Sequence, residues 1–302
     1  MRVLITGAFP LQDDERTILQ NLGWTIEIHP DETAPYLGDP QAIDAIVCNR
    51  FFDHHDLATF SQLKLIQLLS AGIDQVDLQA IRSRGIQLFN AKGVYSIPIA
   101  EWTIGKILEI AKSSRVFQVQ QQQHLWQKQR DLLELNGQTA LILGLGDIGT
   151  AIAQRLRPFG VQVVGVGRRL VNEDACDRFI LIETVDVWLP LADIIIVCLP
   201  LNSETEHFFS RERLQNCKPG SILVNISRGK IIEEPALADL VASGHFRGVA
   251  LDVFEQEPLP ETSPLWNDPR VLVTPHNSFV SPRNRERLFQ LIQTHLQKVE
   301  RS

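Results

Sequence analysis

Thr139-Ala-Leu-Ile-Leu-Gly-Leu-Gly-Asp-Ile-Gly149 is the stretch that decides the fold. A short aliphatic run leads directly into G-x-G-x-x-G, made by Gly144, Gly146 and Gly149. An amphipathic segment follows, with Ile148, Ile152, Leu156 and Phe159 on one helical face. Strand, tight turn and helix in that order are what a dinucleotide fingerprint requires. Gly144 permits the turn, Gly146 lets a pyrophosphate approach the backbone, and Gly149 lets helix and strand pack closely. Asp147 and Ile148 open the helix, whose unpaired N–H groups and positive dipole end suit phosphate.

Outward from this motif, strands and helices alternate nearly throughout, which predicts an α/β architecture with mostly parallel sheets. Before it, apolar runs stand at Val3–Thr6, Ile43–Cys48, Leu65–Leu68 and Ile86–Phe89, a small α/β unit of its own. A long helical stretch is expected from near Pro98 towards Gln122, with the Gln120–Gln123 run at its exposed end or in a loop. From Thr139 on, six runs (Leu141–Leu143, Val161–Val166, Ile194–Leu199, Ile222–Ile226, Val249–Val253 and Val271–Val273) match a full doubly wound dinucleotide domain. A last helix, about Pro282–Val299, is expected to cross back to the N-terminal unit. The predicted organisation is therefore two doubly wound domains. A Rossmann-type cofactor domain, 96–276, is inserted in a smaller flavodoxin-like substrate domain made of 1–95 and the returning helix in 277–302.

Composition limits the function classes. The 302 residues, 44% hydrophobic and 22% charged, suit about two globular domains. A formal net charge of −7 argues against a general nucleic-acid binder, which needs a basic face. No apolar run approaches the roughly 20 residues of a membrane span. Met1–Gly7 reads as a first strand and turn rather than a signal peptide. The four cysteines, Cys48, Cys176, Cys198 and Cys217, show no metal-ligand spacing, and Cys48 and Cys198 lie inside apolar runs. These features predict a cytoplasmic protein with reduced thiols and no metal. His54-His55 is a poor chelate, because adjacent side chains point apart, and is expected in a loop.

Cofactor choice is read at the end of the second cofactor-domain strand, where an Asp or Glu would bind the adenosine ribose hydroxyls. Here Val161-Gln-Val-Val-Gly-Val-Gly167 is followed by Arg168-Arg169. Guanidinium forks suit phosphate oxygens. At about 1.5–3 kcal/mol per charge-assisted hydrogen bond, each well-placed Arg favours NADP over NAD by roughly tenfold to a hundredfold. NADP(H) is the preferred cofactor on this reading, with NAD(H) also accommodated. Glu173 and Asp174 come too late to restore an NAD preference.

Three further segments place polar residues at strand C-terminal ends, where doubly wound sheets bind ligands. Lys218–Gly229 presents Arg228, Gly248–Pro258 ends in a carboxylate-rich turn, and Val271-Leu-Val-Thr-Pro-His276 ends in a histidine. With these, the chain resembles the D-isomer-specific 2-hydroxyacid dehydrogenase family. The likeness covers nearly the whole chain and includes Ser70–Asp77, Asn90–Ser96, Ile99–Trp102, the Gly144–Gly149 turn and Cys198-Leu-Pro-Leu201. The Arg168-Arg169 pair is similar to the NADPH-using glyoxylate/hydroxypyruvate reductase branch.

The resemblance implies roles position by position. Arg228 would bind the substrate carboxylate and carbonyl oxygen. His276 would be the general acid in reduction and the base in oxidation. Glu257, immediately before Pro258, would orient His276 and favour its protonated form, with Glu255 the competing carboxylate. Backbone N–H groups of Ala71 and Gly72 would hold the substrate carboxylate. Ser227 and Asp252 would lie near the nicotinamide, with Leu199 and Pro200 lining its cleft. Tyr95 and Trp102 are open between pocket, interface and core. The family commonly has small residues after the catalytic histidine, whereas this chain has Asn277-Ser278-Phe279. The implied partner is a small 2-oxo or 2-hydroxy acid, and the implied assembly a homodimer through helices flanking the cofactor domain. Two alternatives stand beside this reading. Formate-type oxidation is disfavoured, since such relatives carry Gln at the place of Glu257. A dinucleotide-sensing, corepressor-like binding protein reuses the same fold and site.

Overall fold

A computed structural model describes residues 1–169 and 173–299. The chain divides into two compact units, Met1–Tyr95 with Ser281–Ser302, and Ser96–Val280.

The first unit runs β1 (Arg2–Thr6), α1 (Asp13–Asn21), β2 (Thr25–His29), β3 (Ala45–Cys48), β4 (Leu65–Leu68), α2 (Leu78–Ser83) and β5 (Gln87–Phe89). Its sheet has the order β2-β1-β3-β4-β5, all parallel, with the direction of winding reversed between β1 and β3. β3 and β4 are buried at every position because both faces of a parallel sheet are covered.

The second unit holds α3 (Ser96–Ala111), α4 (Ser114–Gln122), β6 (Thr139–Leu143), α5 (Asp147–Leu156), β7 (Gln162–Gly167), β8 (Arg178–Leu181), β9 (Ile194–Val197), α6 (Arg211–Asn216), β10 (Ile222–Asn225), α7 (Glu234–Ala242), β11 (Gly248–Leu251) and β12 (Val271–Val273). Its order is β12-β11-β10-β9-β6-β7-β8, again parallel throughout. The chain winds outward from β6 through β7 to β8, then returns to β9 on the other side. The crevice between the C-terminal ends of β6 and β9 is thus the switch point at which such sheets bind dinucleotides.

The last helix, α8 (Asn284–Val299), belongs to the first unit. Leu288, Phe289, Ile292, Leu296 and Val299 recur at helical spacing and join Val3, Ile5, Val47 and Leu65 in one core. The chain re-enters this unit at Ser281 rather than directly after His276. Residues 277 and 278 stay with the cofactor unit, where the Asp252 carboxylate accepts the N–H groups of Asn277 and Ser278.

Three elements differ from the sequence expectation. The larger sheet has seven strands rather than six: the added one, β8, is an edge strand whose short run Phe179-Ile-Leu181 has only Ile180 buried. β2 is a second such edge, alternating in sequence as Thr-Ile-Glu-Ile-His. The long helix is two helices, because Ser113 adopts the left-handed conformation (φ 52°) and starts α4 on a new axis.

Candidate active site

The glycine turn follows β6. Gly144 has φ of +100°, and a Cβ there would lie 2.7 Å from the Cys198 carbonyl oxygen, so the turn admits no side chain. A Cβ on Gly149 would lie 2.0 Å from the Gly144 carbonyl oxygen, which makes this the close contact of helix on turn. Gly146 is the N-cap of α5, yet a Cβ there would meet no protein atom within 4 Å. Its bare backbone is therefore not required by the fold's own packing. It suits a ligand that approaches the helix N-terminus, so these residues fit a dinucleotide pyrophosphate. Asp147 stands in the first turn of α5, with Ile148 after it. On the β9 side, Leu199 is buried and Pro200 exposed, and the Leu199 carbonyl accepts the Ser227 hydroxyl.

Arg168 and Arg169 stand exposed just beyond β7. Arg168 Nη1 lies 3.2 Å from the Glu204 carboxylate, in the loop after β9.

The loop after β10 carries Arg228, which is half-buried. Asn225 organises it: its amide nitrogen donates to the Arg228 carbonyl (3.0 Å) and its amide oxygen accepts from Ser227 N–H (3.1 Å). Arg228 Nη1 donates to the Ser227 carbonyl at 2.8 Å. A Cβ on Gly229 would lie 1.8 Å from the Phe254 carbonyl carbon. The absent side chain therefore lets the Arg228 loop sit directly on the turn that carries the acidic residues.

In that turn the two candidate carboxylates have separate partners. Glu257 Oε2 pairs with His276 Nδ1 at 2.9 Å, while its Oε1 accepts Phe254 N–H at 3.1 Å. Glu255 faces the other way: it exchanges backbone–carboxylate hydrogen bonds with Glu234 (3.0 and 3.1 Å) and lies 3.2 Å from His207 Nε2. Burial, with the Glu255 charge beside it, raises the Glu234 carboxyl above the ordinary range.

His276 has φ of +50°, a left-handed conformation that costs a non-glycine residue about 1–3 kcal/mol. Its N–H donates to the Asp252 and Thr274 carbonyls, at 2.8 and 3.0 Å. Asp252, only 1% exposed, spends its carboxylate on the same segment. Oδ1 accepts Thr274 Oγ1 (2.5 Å) and Asn277 N–H (2.8 Å), and Oδ2 accepts Ser278 N–H (3.0 Å). The Asp252 carboxylate thus holds the Thr274 side chain before the imidazole and the backbone after it. With Nδ1 turned to Glu257, Nε2 is the ring nitrogen that can exchange a proton with a ligand. The Phe279 ring stands edge-on to the imidazole, 6.3 Å between centroids.

In the first unit, Ala71 and Gly72 form a turn beyond β4. Asn90 Nδ2 donates to the Ala71 carbonyl (2.6 Å) and Ser70 Oγ to the Gly72 carbonyl (2.8 Å). Gln75 in turn donates to Ser70 Oγ at 2.6 Å. The Ala71 carbonyl fixes the peptide that carries Gly72 N–H, and the Ser70 carbonyl, which accepts Ala91 N–H at 2.8 Å, fixes the one that carries Ala71 N–H. Ser70, Gln75 and Asn90 lie in segments that carry the family likeness, but their supporting contacts are not legible from spacing. Tyr95 donates its hydroxyl to the Leu69 carbonyl, and burial raises the phenol to about 12.

Elsewhere, His55 stacks on Phe51 at 3.9 Å, with His54 ending a short 3-10 turn. No cluster of three metal-ligating side chains occurs among the described residues. Cys48 is buried and Cys198 half-buried, and burial pushes the Cys198 thiol up to about 12.

A doubly wound sheet with a glycine turn at its switch point, and an Arg loop and a His–Glu pair at neighbouring strand ends, defines a dinucleotide-binding protein of the dehydrogenase type. The NAD binding domain of D-isomer specific 2-hydroxyacid dehydrogenases matches residues 104–278, and the chain belongs to that family. It is 34% identical over 262 residues to a D-3-phosphoglycerate dehydrogenase of Mycobacterium leprae, covering 84% of this chain and 49% of that protein. The chain thus spans about half the length of that relative. A glyoxylate reductase of Thermofilum pendens is 32% identical over 257 residues, 82% of this chain and 76% of that one. Among solved structures, a D-isomer specific 2-hydroxyacid dehydrogenase from Xanthobacter autotrophicus, in complex with NADPH and MES, is similar with a TM-score of 0.82 at 27% identity. That similarity covers 99% of this chain and 95% of that one.

Proposed function

We propose that the chain reduces a small 2-oxo acid, of the glyoxylate or hydroxypyruvate kind, to the D-2-hydroxy acid, with NADPH preferred over NADH. The observation that carries this reading is the 2.9 Å pair of Glu257 and His276 Nδ1. It leaves Nε2 to protonate a carbonyl oxygen. Arg228 binds the substrate carboxylate and polarises the carbonyl with its fork of donors. The Ala71 and Gly72 N–H groups are further donors for the substrate carboxylate, with the peptide that carries Gly72 N–H held by Asn90. Gly144, Gly146, Asp147, Ile148 and Gly149 hold the pyrophosphate. Leu199, Pro200, Ser227 and Asp252 border the nicotinamide, and Arg168 and Arg169 receive the 2′-phosphate. When bound, the reduced nicotinamide supplies the hydride.

Phe279 beside the imidazole favours a short substrate side chain. The phosphoglycerate dehydrogenase relative makes phosphorylated 2-oxo acids the chief competing substrates. A scan of 2-oxo acids, phosphorylated and not, with both reduced nicotinamides tests the reading. The expected result is turnover best with a small unphosphorylated acid and NADPH, abolished by His276→Ala with cofactor binding retained. Turnover of no acid would point to the sensing role instead. Near-normal turnover by the His276 variant would refute the catalytic assignment.

The protein acts as a homodimer on this reading. Phe117, Leu125 and the almost fully exposed Trp126 line a groove of about 880 Å³ in the second unit, an apolar surface that a second copy would cover. Among the described residues no helix is long and apolar enough to cross a membrane. The free thiols, Cys48 and Cys217 buried and Cys176 and Cys198 half-buried, suit a reducing cytoplasm. Sedimentation of wild type and Trp126→Glu tests the assembly, with a shift to monomer expected.

A further inference from the structure

Arg168 and Glu204 come from opposite sides of β6. Arg168 follows β7 and Glu204 lies in the loop after β9, and the strand order β9-β6-β7 puts the glycine turn between them. Their ion pair, at 3.2 Å, therefore bridges the mouth of the switch-point crevice.

The Glu204 end of that bridge is built rather than incidental. Asn202 Oδ1 accepts the N–H groups of Glu204 (2.9 Å) and Thr205 (3.1 Å). Thr205, 4% exposed, donates its hydroxyl to the Pro200 carbonyl at 2.6 Å and accepts Asn202 N–H at 2.8 Å. The loop is pinned to Pro200, and the Glu204 carboxylate is presented outward from it. The side chains themselves are 61% and 71% exposed, so the pair is weak and exchangeable. Arg169, also placed after β7, is likewise exposed.

We propose that Glu204 is a specificity-determining residue that competes with the cofactor's 2′-phosphate for the Arg168 guanidinium. The inference rests on the reading of Arg168 as a phosphate-binding residue. A dianionic phosphate must displace Glu204 from Arg168 and then lie beside its carboxylate. A cofactor with a free ribose hydroxyl leaves the pair intact. Glu204 thus narrows the NADPH preference that two arginines alone would confer, and lets one site accept both cofactors.

The test is direct titration of NADPH and NADH binding to the intact protein, without substrate, for wild type, Glu204→Gln, Arg168→Ala and the double variant. In Glu204→Gln, NADPH is expected to bind about three- to tenfold tighter at low ionic strength, and NADH within twofold of wild type. The gain should shrink as salt rises and vanish in the Arg168→Ala background, since the two residues act through one contact. Unchanged NADPH affinity in Glu204→Gln overturns the proposal, and so does a gain that persists without Arg168. If Arg168→Ala also leaves NADPH affinity unchanged, the phosphate reading of Arg168 falls as well. Those two failures are therefore told apart by the single variants.

Discussion

Replacing Glu257 by Gln isolates what its negative charge does for His276. The amide keeps the size of the side chain and an oxygen to accept Phe254 N–H, as Oε1 does at 3.1 Å. It loses the charge that faces Nδ1 at 2.9 Å. A hydrogen bond to a charged group contributes about 1.5–3 kcal/mol. Here the histidine and glutamate side chains are 42% and 38% exposed, so solvent screens part of it. About 1–2 kcal/mol remains, which corresponds to roughly 5- to 30-fold in the rate of a step that consumes the imidazolium. The expected result is a fall of that size in kcat for 2-oxo acid reduction at neutral pH. The cofactor's KM should hold within twofold. The assay is the initial rate of reduced-nicotinamide consumption at neutral pH. A kcat within twofold of wild type would show that the pair has no part in proton transfer.

Three further outcomes are expected. Phe279→Ala should raise kcat/KM for 2-oxo acids with longer side chains about three- to tenfold relative to glyoxylate, by the one to two methylenes of space it opens; an unchanged ratio would remove Phe279 from the substrate site. Asn90→Ala frees the Ala71 carbonyl, held at 2.6 Å, and should raise the substrate's KM about fivefold to tenfold while NADPH affinity measured by titration stays constant. His295, buried against Phe89 and bonded to Gln67 Oε1, is lowered to about 4 by burial and by Lys298. The unfolded chain therefore takes up this proton first as pH falls. Stability from this site is intact above about pH 6.5 and is lost progressively towards pH 4, by about 1–3 kcal/mol in all. His295→Gln should flatten that part of a denaturant-midpoint profile, and an equal slope in both proteins would exclude the site.

The central strands were legible because burial on both faces of a parallel sheet demands continuous apolar runs, as in Ile194–Val197 and Leu65–Leu68. The edges were not: β2 alternates apolar and polar residues, and β8 is short, with Arg178 and Leu181 exposed. The break between α3 and α4 rests on a single backbone conformation at Ser113, a residue that also occurs inside helices. At the site, residue types at strand ends brought Arg228, the acidic turn and His276 into view. Spacing alone could not separate Glu255 from Glu257, which stand two positions apart. Only coordinates show one reaching His276 and the other Glu234. The bonds of Glu204 to Arg168, Asn90 to Ala71 and Asp252 to Asn277 join residues far apart in sequence, and such contacts leave no local pattern to read.

The separation of α8 from the strands it covers sets an order of assembly. During synthesis the whole of Ser96–Val280 is made before Leu288, Phe289 and Ile292, which shield the sheet of the first unit. Most of the second unit is therefore made while the first still shows a bare hydrophobic wall, and the earliest-made strands are the last to be protected. That interval is when the nascent chain is most exposed to chaperones and to self-association.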